Sequence, residues 1–132
     1  MKYSIAFDDD QQTVLVSVSG QISVAEWIHA HHQAMVMAGK KGTRRLLLNA
    51  KSAHWCLSGS DIDILPKVLE DIGVDQSHRL ALVVDSEGGV FQQYVRSFEA
   101  RGYQIAVVND VHLAARWLAM EFTHTKREGP SS

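Results

Sequence analysis

An α/β domain built on a mainly parallel five-stranded sheet is the fold class this sequence predicts. Three observations point to it. Arg45–Asn49 and Leu80–Val84 carry unbroken apolar runs, as strands covered on both faces do. Segments with apolar residues three and four apart alternate with these runs, as crossover helices do. Ahead of them, two stretches of strict alternation flank the polar turn Asp8–Gln12 and read as a hairpin. The expected order is β-β-α-β-α-β-α-β-α, with an antiparallel N-terminal edge strand, four helices and right-handed crossovers. One domain spans 1–122, and the polar stretch 123–132 has little to bury and reads as a disordered tail.

Each element follows from its residues. Tyr3, Ile5 and Phe7 share one face of the first strand, and Val14, Val16 and Val18 one face of the second, which Gly20 ends. Ser23 and Glu26 form a capping box for a helix reaching about Ala38, with Gly39 as its stop. Its inner face is Val24, Trp27, Ile28, His31, Met35 and Ala38. Pro66 belongs in the first turn of the next helix, so that helix should begin near Ile62–Ile64 with Asp61 or Asp63 as cap. Ile62, Leu65, Leu69 and Ile72 face inward, and Gly73 follows. A third helix covers Val90–Arg101, with Phe91, Tyr94, Val95 and Phe98 inward and Gly102 as stop. Gln104–Val108 is the last strand. Asp110 caps a final helix over Val111–Phe122, with Val111, Ala114, Ala115, Leu118 and Phe122 inward. Trp27 and Trp117 sit at helical spacing among apolar neighbours and read as core.

Composition removes several function classes. The 132 residues carry 13 basic and 15 acidic side chains, a net charge of −2. No global field draws the chain to nucleic acid or to an anionic membrane surface. Cys56 is the lone cysteine, which excludes an internal disulfide and a cysteine-based zinc cluster and fits a reducing compartment. No signal peptide and no apolar run near the ~20 residues of a membrane span is present, so a cytoplasmic location is expected, with no integral membrane association.

The stretch Leu46–Asp61 holds the densest set of recognition side chains. A short strand ends at Asn49, and a loop carrying Lys51, His54, Trp55, Cys56, Ser58 and Ser60 leads to Asp61 and a helix. In parallel sheets, ligands and partners meet the carboxyl ends of strands. Ser58 and Ser60 can serve as phosphoacceptors or binding groups, or simply as caps and turn residues. Trp55 is either tucked over the sheet end or an exposed anchor. Ser58 or Cys56, His54 or His112, and Asp85 or Asp110 can be composed into a nucleophile–base–acid set, but no nucleophile-elbow motif supports one. His29 and His32 share a helix face without a carboxylate or cysteine at ligand spacing, so no metal site is expected. The loop Asp85–Gly89 could cradle an anion, although its two acids oppose that. Lys40, Lys41, Arg44 and Arg45 read as a solvated turn.

The segments RLALVVDSEGGVFQQYVRSFEARG (79–102), IAVVND (105–110) and HLAARWLA (112–119) resemble the SpoIIAA-like proteins of the STAS group, the sulfate transporter and anti-sigma-factor antagonist domains. The STAS/SEC14-type subgroup of bacterial proteins is the nearer likeness. GQISVAEWIHAHHQA and RRLLLNAKSAHW follow the same pattern, and the likeness covers roughly 13–120. It implies a small non-enzymatic module that binds other proteins. In the antagonists, the loop after the third strand ends in Asp-Ser-Ser-Gly, and phosphorylation of the second serine breaks partner binding. This chain reads Leu57-Ser58-Gly59-Ser60 there, with glycine at the modified position.

Three functions follow as expectations. The first is a regulatory module that contacts a protein partner through 51–61, the following helix start and the third helix, with no cofactor. The second is a carrier or sensor of a small apolar, lipid-like ligand, lined by Trp55, Phe91 and Tyr94. The third and weakest is a Ser/His/Asp hydrolase. Candidate contact residues are Lys51, His54, Trp55, Ser58, Ser60, Asp61, Asp85, Phe91 and Tyr94. A homodimer, through an edge strand or an exposed helix, is left open.

Overall fold

Strand β1 (Lys2–Asp8) pairs antiparallel with β2 (Thr13–Ile22), and β3 (Arg45–Trp55), β4 (Arg79–Val83) and β5 (Gln104–Val108) follow as parallel neighbours. The sheet order is β1-β2-β3-β4-β5, which puts the antiparallel N-terminal strand at an edge, as expected. Helices α1 (Val24–Lys41), α2 (Gly59–Asp71) and α3 (Gly89–Glu99) fill the connections, and α4 (Val111–Glu128) closes the chain. This computed structural model describes residues 1–85 and 89–128, with side chains as far as Met120.

Alternation along the strands sorts the core into two layers. Val14, Val16, Leu46, Leu48, Leu80 and Leu82 face α1, α2 and α3, where Trp27, Ala30, Leu65, Leu69 and Phe98 meet them. On the other face, Leu47, Ala81 and Val83 meet Ala114 and Leu118 of α4. Arg79 is buried beneath that helix. Its Nη1 donates to the carbonyls of Trp117 (2.9 Å) and Leu118 (2.8 Å), and its guanidinium lies 3.9 Å from the Trp117 ring centroid. Trp117, half-buried and packed against this layer, thus also covers a cation.

Several element ends depart from expectation, each for a local reason. Gly39 does not stop α1. It stays helical, at a cost of about 1 kcal/mol against alanine, and the helix ends where Gly42 turns left-handed (φ 72°) and donates to the Ala38 carbonyl. On the inner face, Ala30 and Ala34 are buried while Val24, Ile28 and Met35 are half-buried. Helix α2 starts at Gly59, so Pro66 lies inside it and not in its first turn. A reciprocal cap holds that first turn: Asp61 N–H donates to Ser58 Oγ (3.1 Å) and Ser58 N–H to Asp61 Oδ2 (2.9 Å). Pro66 is itself buried, and its packing offsets the missing amide. Helix α4 runs past Phe122 to Glu128, because the first helix breakers are Gly129 and Pro130. Residues 129–132 of the expected tail, and the Phe122 side chain, lie outside the described residues. Val111 is 38% exposed and not inward, since it precedes the point where α4 meets the sheet at Ala114.

The largest departure is in β2 and β3, which continue beyond Val18 and Asn49. Ser17 pairs with Asn49, but Ser19 pairs with Ser52, so β3 holds one extra residue. This β-bulge reverses the phase of the strand. Leu46, Leu48 and Ala50 face the helices before it, and Ala53 and Trp55 after it. The Lys51 amide at the bulge donates to Asn49 Oδ1 (3.2 Å). Asn49→Ala is expected to lower stability by about 1 kcal/mol through that hydrogen bond, read as a lower urea midpoint at unchanged slope.

Candidate functional site

Beyond the Asn49–Val83 pair, β4 has ended while β3 continues to Trp55. The β4-facing edge of 50–55 therefore has no strand beside it among the described residues. An open cleft of about 340 Å³ follows this edge, lined by Ala50, Ala53, His54, Trp55, Asp85 and Phe91. His54 and Asp85 are exposed at its rim. Lys51 is exposed at the bulge and does not line the cleft.

Below the cleft lies an aromatic cluster. The Trp55 ring meets Trp27 (5.1 Å), Phe91 (5.1 Å) and Tyr94 (5.8 Å) edge to face, the arrangement their quadrupoles favour. Trp27 Nε1–H donates to the Tyr94 hydroxyl at 3.2 Å, and Tyr94 stacks on Phe98 at 4.8 Å. Burial pushes the Tyr94 phenol well above its ordinary pKa. The three rings expected to line an apolar pocket thus fill one another's space. Trp55 is tucked over the sheet end, with its Nε1 buried and unpartnered among the described residues.

Helix α2 is fastened to α3 beside this cluster. Gln93 Nε2 donates to the Gly59 carbonyl (3.0 Å) and to Asp63 Oδ1 (3.0 Å), which also accepts from Ser97 Oγ (3.2 Å). A Cβ on Gly59 would lie 3.3 Å from the Gln93 amide, so the glycine permits the close approach. Gln93 and Ser97 escaped the sequence reading, which weighed Asp63 only as a helix cap and Asn49 only as the end of a strand. The contacts of Gln93, Asp63 and Ser97 span 30 or 34 residues, and no local spacing announces them. Ser58 and Asp61 are joined in the cap, and Ser60, between them, is exposed.

The remaining candidates have structural surroundings. The Ser58 hydroxyl accepts the Asp61 amide, Cys56 Sγ approaches the His54 carbonyl (3.9 Å), and Asp110 Oδ1 accepts the His112 amide (2.6 Å). No serine, histidine and carboxylate of the expected set share side-chain hydrogen bonds among the described residues. The His29 ring lies edge-on to Tyr3 at 5.8 Å. No group of three or more His, Cys, Asp or Glu side chains placed to hold a metal occurs among the described residues. Lys41 sits over the Phe7 ring (5.2 Å), Arg44 donates to the Ser77 hydroxyl, and Arg45 donates to the Gln11 carbonyl (2.7 Å). Residues 86–88 of the loop considered as an anion cradle lie outside the described residues. No described helix is long and apolar enough to cross a membrane.

No known family profile and no curated protein matches this chain. Among solved structures, it is similar to the anti-sigma factor antagonist SpoIIAA in its unphosphorylated form. The TM-score is 0.45 at 12% identity, over 80% of this chain and 87% of that one.

Proposed function

We propose that the protein is a non-enzymatic regulatory module of the STAS-like kind, which binds an extended segment of a protein partner. The observation carrying this reading is the edge of β3 over 50–55, which outruns β4 and borders the cleft of His54, Trp55, Asp85 and Phe91. Such an edge offers main-chain donors and acceptors to an added strand, and the cleft takes its side chains. The aromatic cluster holds the edge in place, and the start of α2, fastened to α3, forms the adjoining wall. Ser60, exposed in the first turn of α2, is the better-placed phosphoacceptor. Ser58 would have to leave its cap, and a phosphate there would face the Asp61 carboxylate. A cytoplasmic location belongs to this reading.

Site-specific photo-crosslinking in the native cell tests it. A crosslinking residue at His54 or Ser60 should capture one defined protein, and the same residue at Asp9, in the hairpin turn at the other end of β2, should not. Capture should be lost when His54→Glu is combined with the probe at Ser60. Identical products from all three positions would overturn the proposal.

A further inference from the structure

Among the described residues, β1 lies at one end of the sheet and pairs with β2 alone, which leaves its outer edge open. Open edges in soluble proteins are ordinarily guarded by proline, by a bulge or by a charge in mid-strand. This one has none of these. Its pairing with β2 runs without interruption from Lys2–Ser19 to Asp8–Thr13, and its charges stand only at its two ends. The opposite edge, β5, is shorter and lies between α3 and α4, whereas among the described residues β1 is flanked by α1 alone.

The sequence of the edge, KYSIAFD, is complementary to itself when reversed. A two-fold axis through Ile5 sets Lys2 opposite Asp8 of a second copy, Tyr3 opposite Phe7, and Ser4 opposite Ala6. Each chemical type then meets its complement twice: cation with anion, aromatic with aromatic, small with small. The faces also agree. Lys2, Ser4, Ala6 and Asp8 share one side of the strand, while Tyr3, Ile5 and Phe7 share the other and extend the core. Tyr3, Ile5 and Phe7 are only half-buried, although His29 and Lys41 of α1 lie against the two aromatic rings. Val36, two turns after His29 on the same face of α1, is 43% exposed. Asp8 uses Oδ1 to accept the amides of Asp10 and Gln11, which leaves its other oxygen for a lysine.

We propose that β1 is a homodimer interface, in which two copies pair antiparallel about Ile5 and join their sheets into one of ten strands. The interface is isologous and closed, so it consumes the open edge without forming a filament. It stands independently of the β3 cleft, which lies on the far side of β2.

Sedimentation velocity over a concentration series, with cysteine crosslinking, tests the pairing. The wild type should sediment as a dimer that dissociates on dilution. Lys2→Glu replaces two opposite-charge pairs by two like-charge pairs and should weaken dimerisation by about tenfold or more. In a Cys56→Ser background, a mixture of Ser4→Cys and Ala6→Cys chains should form an oxidised dimer, and neither chain alone should do so to the same extent. Both positions are exposed, so the fold is left intact, which circular dichroism checks. A monomer at every concentration overturns the proposal. A dimer that yields no 4–6 disulfide, or one indifferent to Lys2→Glu, does the same. So do species growing beyond two copies, which would indicate β1 pairing with β5.

Discussion

Trp27→Ala is expected to destabilise the domain by about 3–5 kcal/mol, the usual cost of deleting a large buried aromatic ring. Trp27 is fully buried at the junction of α1, β3 and α3, where it touches His31, Trp55 and Tyr94. Domains of this size are stable by only about 5–15 kcal/mol, so the loss takes a large share of the total. Trp27→Phe separates two contributions. It keeps most of the ring volume but leaves the buried Tyr94 hydroxyl without its indole donor, at a cost of about 1–3 kcal/mol. Equilibrium urea unfolding of the two variants should rank them well apart, with the wild type most stable. Near-equal midpoints for all three would show that the cluster does not bear on the stability of the sheet end.

The second large effect is acid lability centred on His31. This imidazole is 1% exposed, packs edge-on against Trp27, and has Nδ1 2.9 Å from the Trp27 carbonyl. Burial holds its pKa down to about 4, below the ordinary 6.5, with the carbonyl contact partly opposing the shift. In the unfolded chain the ring takes up a proton as pH falls below about 6.5, while in the folded chain it stays neutral until about 4. The unfolded state therefore binds more protons in this window, and stability falls as pH falls through it. The full effect below the lower value is about 3 kcal/mol. It is absent at neutral pH. Urea midpoints measured at pH 7.5, 5.5 and 4.5 should decline for the wild type and much less for His31→Leu. Carboxylates held low by hydrogen bonds, such as Glu70 beside Arg101, lose their contribution further into acid and should affect both proteins alike.

The sequence carried the order of elements, the helix starts at Ser23 and Asp110 and the limits of β5, because each depends on neighbours along the chain: an alternation, a cap, an apolar run. The places it misled are those where a distant contact overrides a local rule. Gly39 and Pro66 are breakers by propensity, yet both lie within helices held by a cap or by packing. The reach of β3 to Trp55 was hidden because the bulge breaks the period-two pattern, so a strand of mixed polarity read as a loop. That loop reading nevertheless named His54, Trp55, Asp85 and Phe91, which do meet in one cleft. It missed the fastening of α2 to α3 through Gln93, whose partners are far away in sequence, and it placed Trp55, Phe91 and Tyr94 around a void that their own rings occupy.

The bulge in β3 makes the identity of the cleft a matter of counting. The face each side chain takes beyond Asn49 is fixed by parity, and one surplus residue sets that parity. Take that residue away and His54 would turn toward the aromatic core while Trp55 turned outward, with no change to either side chain. Point substitutions in this segment can change the chemistry of a side chain on either face. Only an insertion or a deletion can exchange what is shown for what is hidden, so chain length, more than composition, guards this edge of the sheet.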